Sequence, residues 1–511
     1  MASTQPHEQL HFILIPLMSQ SHLIPFTDMA KLLARHGPIV TLITTPLNAE
    51  RFKTTTDRAK TSNLKIQLIP LRFPSQEAGL PLGCENLDAL PSLDLFEQFL
   101  RATSMLQEPL ENLLQQLQPR PSCIISDIVL PWTSHLALKF KIPRLLFHVI
   151  SCFTLACSHN IRRFNVSDRV ASNSEPFVVP EIPDRIEFTK AQLPKIMVQG
   201  HDASERLSKE MKEAEWTAEG VMVNSFEDLE PNYVKEYEKV VKKIWCVGPV
   251  SLCNEEASDK ASRGSSSSGG SADAHRCLQW LASRDAGSVV YVCFGSQSEI
   301  STAQSIEIGL GLEAVNRPFV WIIRERNYTA EFEEWLAAEK YEERVKDRGL
   351  IIKGWAPQVL ILTHPAVGGF VTHCGWNSTL EGLSAGLPMT TWPMSAEQFF
   401  NEKFIVQVLG VGVRIGVEVM AMHEEEEVLV KKEEVKRGVE ELMGEGGEAV
   451  ERRERARELG KMAKRAIEGG SSEINMVLLI QHILQLQASN IEKVVERIVH
   501  DEVGVQGEEC C

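Results

Sequence analysis

The densest run of side chains able to do chemistry lies between Trp355 and Gln398, 44 residues reading WAPQVLILTHPAVGGFVTHCGWNSTLEGLSAGLPMTTWPMSAEQ. Residues 369–372 read as a strand, His373-Cys374-Gly375 as a turn, and Trp376 or Asn377 as the start of a helix. Such a start presents unpaired backbone N–H groups at the positive end of the helix dipole, a natural seat for a diphosphate. His373 adds a side-chain donor there, and Asn377 and Ser378 add polar groups in the first turn. Glu381 falls four residues after Asn377, on the same face one turn deeper. A carboxylate in that place can accept both hydroxyls of a ribose through charge-assisted bonds. Trp355 offers a flat face for a base, and Glu397 and Gln398 offer an acceptor and a donor for sugar hydroxyls. Taken singly, each residue has an ordinary structural explanation: a core tryptophan, a loop histidine, a solvated helix carboxylate. Their concentration in one run argues for a nucleotide-sugar site.

Two other motifs compete. A dinucleotide fingerprint needs G-x-G-x-x-G directly after a strand; Gly410, Gly412 and Gly416 have the wrong spacing, and MSQSH after the first strand has no glycine. Gly382-Leu383-Ser384-Ala385-Gly386 fits the G-x-S-x-G of a serine hydrolase, whose elbow needs a strand before the serine and a helix after it. Here NSTLEGL reads as helix and Gly386-Leu387-Pro388 as its stop. A hydrolase using Ser384 stays as an alternative, as does a non-catalytic sugar-nucleotide binder.

The elements that must position these groups alternate strand and helix. A strand over 10–17 leads to a helix over 22–35, then a strand over 39–44, a loop-rich stretch over 70–95, a helix over 95–117 and a strand over 122–125. Further strands are expected at 144–149, 221–224 and 244–247. A second series runs through strand 289–294, helix 302–315, strands 319–323, 350–353 and 369–372, and helices 376–385 and 395–409. Between the series, SLCNEEASDKASRGSSSSGGSADA reads as a flexible linker or exposed loop. The division is thus a first domain over 1–250, a linker over 251–275, a second domain over 276–470, a helix over 471–488 packing back on the first domain, and a tail over 489–511. Two such series predict two Rossmann-like parallel-sheet domains facing each other across a cleft. His22 follows the first strand and Asp127 follows the strand over 122–125. If those strands are neighbours at the switch point, both side chains rise on one crest. The aspartate would then fix the imidazole tautomer and stabilise its protonated form. A histidine pKa of ~6.5 already suits a base at neutral pH. Alone, the same two residues read as a helix-start histidine and a turn or cap aspartate.

Composition narrows the partners. With 53 Lys and Arg against 69 Asp and Glu, the 511-residue chain carries a formal charge of −16, which disfavours nucleic acid and anionic membrane surfaces. No apolar run approaches the ~20 residues of a membrane span, and MASTQPHEQL lacks the positive start of a signal peptide. The 11 scattered cysteines include no Cys-x-x-Cys pair and suggest reduced thiols in a cytoplasmic protein. Cys510-Cys511 sits in an acidic tail without the polybasic stretch a lipid anchor needs. Residues 451–468 carry alternating charges with Ala456, Leu459, Ala463, Ala466 and Ile467 at helical spacing, the pattern of a solvated amphipathic helix. There is no Asp-x-Asp pair to hold a metal on a diphosphate, so no metal or cofactor is expected.

The 44-residue run resembles the signature box of plant family 1 UDP-glycosyltransferases at full length. The likeness extends from about residue 10 to 486 through LMSQSHLIPFTDMAKLLARHG, PSCIISDIVLPW, GVMVNSFEDLE, SVVYVCFGS and EQFFNEKF. It is strongest to the group that glucosylates flavonoids, triterpenoids and steroids. The resemblance implies the GT-B fold, with the acceptor in the first half and UDP-glucose as donor substrate in the second. By matching positions, Trp355 would stack on uracil with Ala356 and Gln358 beside the base. His373, Asn377, Ser378 and Ser296 would hold the diphosphate, Glu381 the ribose, and Trp376, Glu397 and Gln398 the sugar. Glutamine at 398 is the family's usual choice for glucose. His22 matches the catalytic base and Asp127 its partner, in a metal-independent displacement that inverts the anomeric carbon. One departure is Ser21-His22 where the family commonly has Gly-His; a side chain at 21 is expected to narrow the acceptor entrance. The acceptor is expected against loops 80–97, 127–135, 151–157 and 188–203, and the protein is expected to be a monomer.

Overall fold

Apolar, β-branched runs such as HFILI, buried at every position, form the centres of two parallel sheets in the computed structural model, which describes residues 9–198, 202–263, 270–420 and 429–505. The first sheet contains β1 His11–Ile15, β2 Ile39–Thr44, β3 Ile66–Pro70, β4 Cys123–Ser126, β5 Arg144–His148, β8 Gly220–Val223 and β9 Ile244–Cys246. Its order is β3-β2-β1-β4-β5-β8-β9. A short antiparallel pair, β6 Phe177–Val178 and β7 Glu187–Phe188, stands apart from it. The second sheet holds β10 Val289–Cys293, β11 Phe319–Ile323, β12 Gly349–Lys353, β13 Val367–Thr372, β14 Met389–Thr391 and β15 Gly412–Arg414, in the order β12-β11-β10-β13-β14-β15. Strand order reverses between β1 and β4 in one sheet and between β10 and β13 in the other. Beyond the carboxyl ends of the strands at such points, doubly wound sheets open a crevice for ligands. The architecture is the GT-B fold, as expected.

The pairing of β1 with β4 puts Ile15 opposite Ser126, so the residues that follow each strand emerge together. In the second sheet Cys293 lies opposite Thr372, which brings the FGS turn beside His373. The lobes share an apolar seam: the rings of Phe153 and Phe404 are 5.1 Å apart and those of Phe188 and Phe400 4.5 Å. The final helix, Ser471–Val505, returns to the first lobe, where Met476, Leu479 and Ile483 are buried in the core with Phe12, Leu14 and Trp245.

Four local expectations change. The helix expected over 95–117 is two, Phe96–Ser104 and Gln107–Gln116. Pro109 lacks the N–H that would bond Met105 and its ring crowds that carbonyl, so the chain breaks there. The helix expected over 395–409 is α-helical only over Gln398–Lys403, then a wider π turn over Phe404–Val408. The last helix continues past 488 into the stretch read as tail. Finally, the described part of 251–275 is not an exposed loop: Val250–Cys253 forms a turn, Ala257–Ser262 a helix, and Cys253, Asn254 and the Arg263 side chain are buried. Residues 264–269 of that stretch lie outside the described residues.

Candidate functional site

His22 sits in the first turn of the helix Gln20–Arg35, immediately beyond β1, and Asp127 is the first residue after β4. His22 Nδ1 and Asp127 Oδ2 are 2.6 Å apart. The aspartate is 1% exposed and is held by main-chain N–H groups: Val129 donates to Oδ1 at 3.1 Å and Leu17 to Oδ2 at 3.4 Å. Burial alone would make His22 less basic, but the Asp127 carboxylate, with Glu397 and Asp88 nearby, raises its pKa above the usual histidine value. Burial opposes ionisation of Asp127 as well, and there the imidazole and the two N–H donors win, so its pKa is lowered. An ionised Asp127 accepting from Nδ1–H leaves the Nε2 lone pair as the basic site.

The helix that carries His22 also explains a contact between the lobes. Pro25 lies one turn past Ser21 and has no N–H to offer the Ser21 carbonyl. Asn377 Nδ2 donates to that carbonyl instead, at 2.6 Å. Ser21 lines the cleft, its hydroxyl 3.0 Å from Ser19 Oγ.

On the facing lobe, the chain beyond the carboxyl ends of β10, β12, β13 and β14 carries Ser296, Trp355, His373 and the Glu397-Gln398 pair. The cleft between the lobes, about 250 Å³, is lined by His22 and by every expected donor residue: Ser296, Trp355, Ala356, Gln358, His373, Trp376, Asn377, Ser378, Glu381, Glu397 and Gln398. A larger groove of about 1410 Å³ runs over the outer face of the first lobe past Trp132, His135 and Leu138. It includes none of these residues.

His373 is wedged between two glycines. A side-chain carbon at Gly295, whose φ is +78°, would come within 2.5 Å of the imidazole, and one at Gly375 would collide with it too. Burial, with Arg324 adding to it, pushes the His373 pKa down to about 4, so the ring is neutral at pH 7. Its Nδ1 is buried without a hydrogen-bond partner among the described residues. Glu381, 7% exposed, accepts from Gln358 Nε2 at 2.8 Å, and Gln358 Nε2 also lies 3.0 Å from Ser378 Oγ. Gln398 Oε1 accepts from the N–H groups of Met394 and Ser395 at 2.8 and 3.0 Å, and its Nε2 donates to Ser395 Oγ at 3.4 Å, so one of its two amide hydrogens is left for a ligand. Glu397 receives the main-chain N–H of Trp376, and burial raises its pKa.

Trp376 lines the cleft with its indole turned away. The Trp376 indole is 2% exposed, and its Nε1 donates to the Asn224 carbonyl at 2.8 Å, so the ring ties the lobes together. What Trp376 presents at the helix start is its backbone. Ser384 closes the helix Trp376–Ser384 with a buried hydroxyl, not the exposed strand-to-helix turn of a nucleophile elbow. Three groups escaped the sequence reading. Asp88 accepts from the Gln20 N–H at 2.7 Å and from Ser296 Oγ at 3.1 Å, bridging the cleft. Arg324 donates from Nε to the Gly295 carbonyl at 2.9 Å. Arg263 reaches Glu381 from the stretch read as linker. The one available signal for Arg263 was a lone arginine ahead of a serine-glycine tract.

Among the described residues no helix is long and apolar enough to cross a membrane. A sequence profile of the UDP-glucoronosyl and UDP-glucosyl transferase family matches residues 110–438. The chain is 51% identical to UDP-glycosyltransferase 73C3 of Arabidopsis thaliana over 488 residues, covering 94% of this chain and 98% of that one. It is 50% identical to UDP-glycosyltransferase 73C5 of the same plant, covering 96% and 99%. Among solved structures it is similar to Glycyrrhiza uralensis UGT73P12 complexed with glycyrrhetinic acid 3-O-monoglucuronide: TM-score 0.87, 38% identity, 97% of this chain and 100% of that one. Medicago truncatula UGT71G1 complexed with UDP-glucose matches with TM-score 0.74 and 26% identity over 93% and 98%.

Proposed function

The chain belongs to the UDP-glucoronosyl and UDP-glucosyl transferase family, and from that premise we propose that it transfers glucose from UDP-glucose to a hydroxyl of a small lipophilic plant metabolite of flavonoid, triterpenoid or steroid type. The observation that carries this reading is that the His22–Asp127 pair and the rear-lobe cradle meet at one cleft. Uracil stacks on Trp355, the ribose diol donates to Glu381, and the diphosphate lies at the start of the helix Trp376–Ser384 beside His373, Asn377, Ser378 and Ser296. Glu397 and Gln398 take the sugar hydroxyls.

His22 Nε2 accepts the proton of the acceptor hydroxyl as its oxygen attacks the anomeric carbon from the face opposite UDP. The bond to the departing phosphate oxygen breaks as the new one forms, so the configuration inverts and an α-linked donor gives a β-glucoside. Asp127 stabilises the imidazolium, as in triad chemistry. The helix start and neutral His373 receive the charge that develops on UDP, with no metal and no cofactor beyond the donor substrate. The protein acts as a cytoplasmic monomer. Incubation with UDP-glucose and a panel of phenolic and terpenoid acceptors, following UDP release, tests the reading. Acceptor-dependent release that His22→Ala abolishes supports it. Release without acceptor would indicate a hydrolase, and binding without release a sensor.

A further inference from the structure

We infer that Arg263 is a positioning residue of the donor site: moored on the front lobe through Asp28, its guanidinium bonds Glu381 and aims that carboxylate at the ribose. This rests on the nucleotide reading of Glu381 given above.

The argument begins with the cost of an isolated charge. Burying a carboxylate as deeply as Glu381 is costly unless it is paired and hydrogen-bonded, and a carboxylate fixed in direction can present its oxygens to both hydroxyls of a diol. Gln358 satisfies Oε2 at 2.8 Å but supplies no charge. The charge comes from Arg263, whose Nη1 bonds Glu381 Oε1. Its Nε bonds Asp28 Oδ2 at 2.7 Å, and the arginine side chain is 9% exposed. One planar guanidinium therefore spans two buried carboxylates on opposite lobes, which a lysine ammonium cannot reproduce.

The mooring is built. Asp28, Lys31 and Arg35 lie at i, i+3 and i+7 on one face of the helix Gln20–Arg35, and all three grip the stretch that carries Arg263. Asn254 Nδ2 donates to Asp28 Oδ1 at 2.8 Å, Lys31 Nζ donates to Asn254 Oδ1 at 2.7 Å, and Arg35 Nη2 donates to the Cys253 carbonyl at 2.7 Å. The same helix carries His22 in its first turn. The element that supplies the base thus also fixes, through Arg263, the carboxylate that registers the nucleotide.

The test measures UDP affinity by calorimetry together with kcat and KM, for Arg263→Ala, Arg263→Lys, Asp28→Asn, Glu381→Gln and the double variant of Arg263→Ala with Glu381→Gln. Arg263→Ala is expected to weaken UDP and raise the UDP-glucose KM by about tenfold, the effect of one hydrogen bond to a charged group, while kcat and the acceptor KM stay within about twofold. Asp28→Asn moves the same parameter less, and Arg263→Lys recovers part of the loss. In the Glu381→Gln background, Arg263→Ala adds nothing, because the residue acts through that carboxylate. UDP affinity in Arg263→Ala equal to or tighter than wild type would overturn the inference, the latter making the contact a competitor of the ribose. An equal further loss on the Glu381→Gln background would overturn it as well, as a structural role would. If Arg263→Ala does not fold, Arg263→Lys decides by the same criterion. Should Glu381→Gln alone leave UDP affinity unchanged, the ribose reading itself fails, which the other variants by themselves would not cause.

Discussion

Two histidines face one cleft and are tuned in opposite directions. His22, on the front lobe, is raised in pKa because the carboxylates of Asp127, Glu397 and Asp88 outweigh its burial. His373, on the rear lobe, is pushed down to about 4 because burial and Arg324 act together and no carboxylate among the described residues is paired with it. The difference separates two tasks. A base that must take a proton benefits from a neighbouring negative charge, which stabilises the product of the transfer. A donor to phosphate needs only to be rigid and to leave the anion the strongest charge in its surroundings. The glycines packed on His373 and the aspartate bonded to His22 are the two local devices that produce this split.

The sharpest way to break the comparison is to exchange effects between the two rings. His22→Ala is expected to lower kcat by about 10²–10⁴, the range of a lost general base, with UDP affinity retained. A large loss of UDP affinity in that variant would merge the two roles and end the distinction. Asp127→Asn is expected to lose on the order of 10² in rate, and to move the acid limb of the pH–rate profile. The sign follows from the causes: the carboxylate raises the His22 pKa and burial lowers it. Wild-type activity is thus lost as pH falls through a pKa above that of free histidine, and in Asp127→Asn the limb shifts to lower pH. A limb that stays in place would mean another group titrates there. His373→Ala is expected to weaken UDP roughly 10- to 10²-fold, corresponding to about 1.5–3 kcal/mol for a bond to a charged group, without moving the limb. Trp355→Ala is expected to weaken UDP by about 1–3 kcal/mol through lost stacking, leaving the pH profile unchanged. The smallest effect belongs to Ser384→Ala, whose turnover should stay within about twofold; complete loss of turnover with the fold intact would revive the hydrolase.

The rear cradle was legible because it is nearly contiguous. Strand, turn and helix in one 44-residue run place His373, Asn377 and Glu381 by local geometry alone, and the structure gathers all of them at the cleft. The front pair was legible only conditionally. His22 and Asp127 are 105 residues apart, and their contact depends on β1 lying beside β4, a pairing that alternation suggests and does not fix. The break at Pro109 was written in the chain, inside a stretch read as one helix over 95–117. Trp376 was placed at the sugar by position, and sequence gives a residue's type and place but not its direction; Asn224, far away in the chain, takes its indole N–H.

The order of amino acids by itself determined the two alternating series, the helix start that suits a diphosphate, and the residue types of the cradle, because these follow from hydrogen bonding and periodicity within a few turns of chain. Tertiary structure alone decided that Arg263 spans Asp28 and Glu381, which lie 235 and 118 residues from it, and that Asp88 reaches Ser296 across the cleft. It also set the opposite basicities of the two imidazoles. A pKa depends on burial and on charges a few ångströms away, and those distances exist only once both sheets have folded and met.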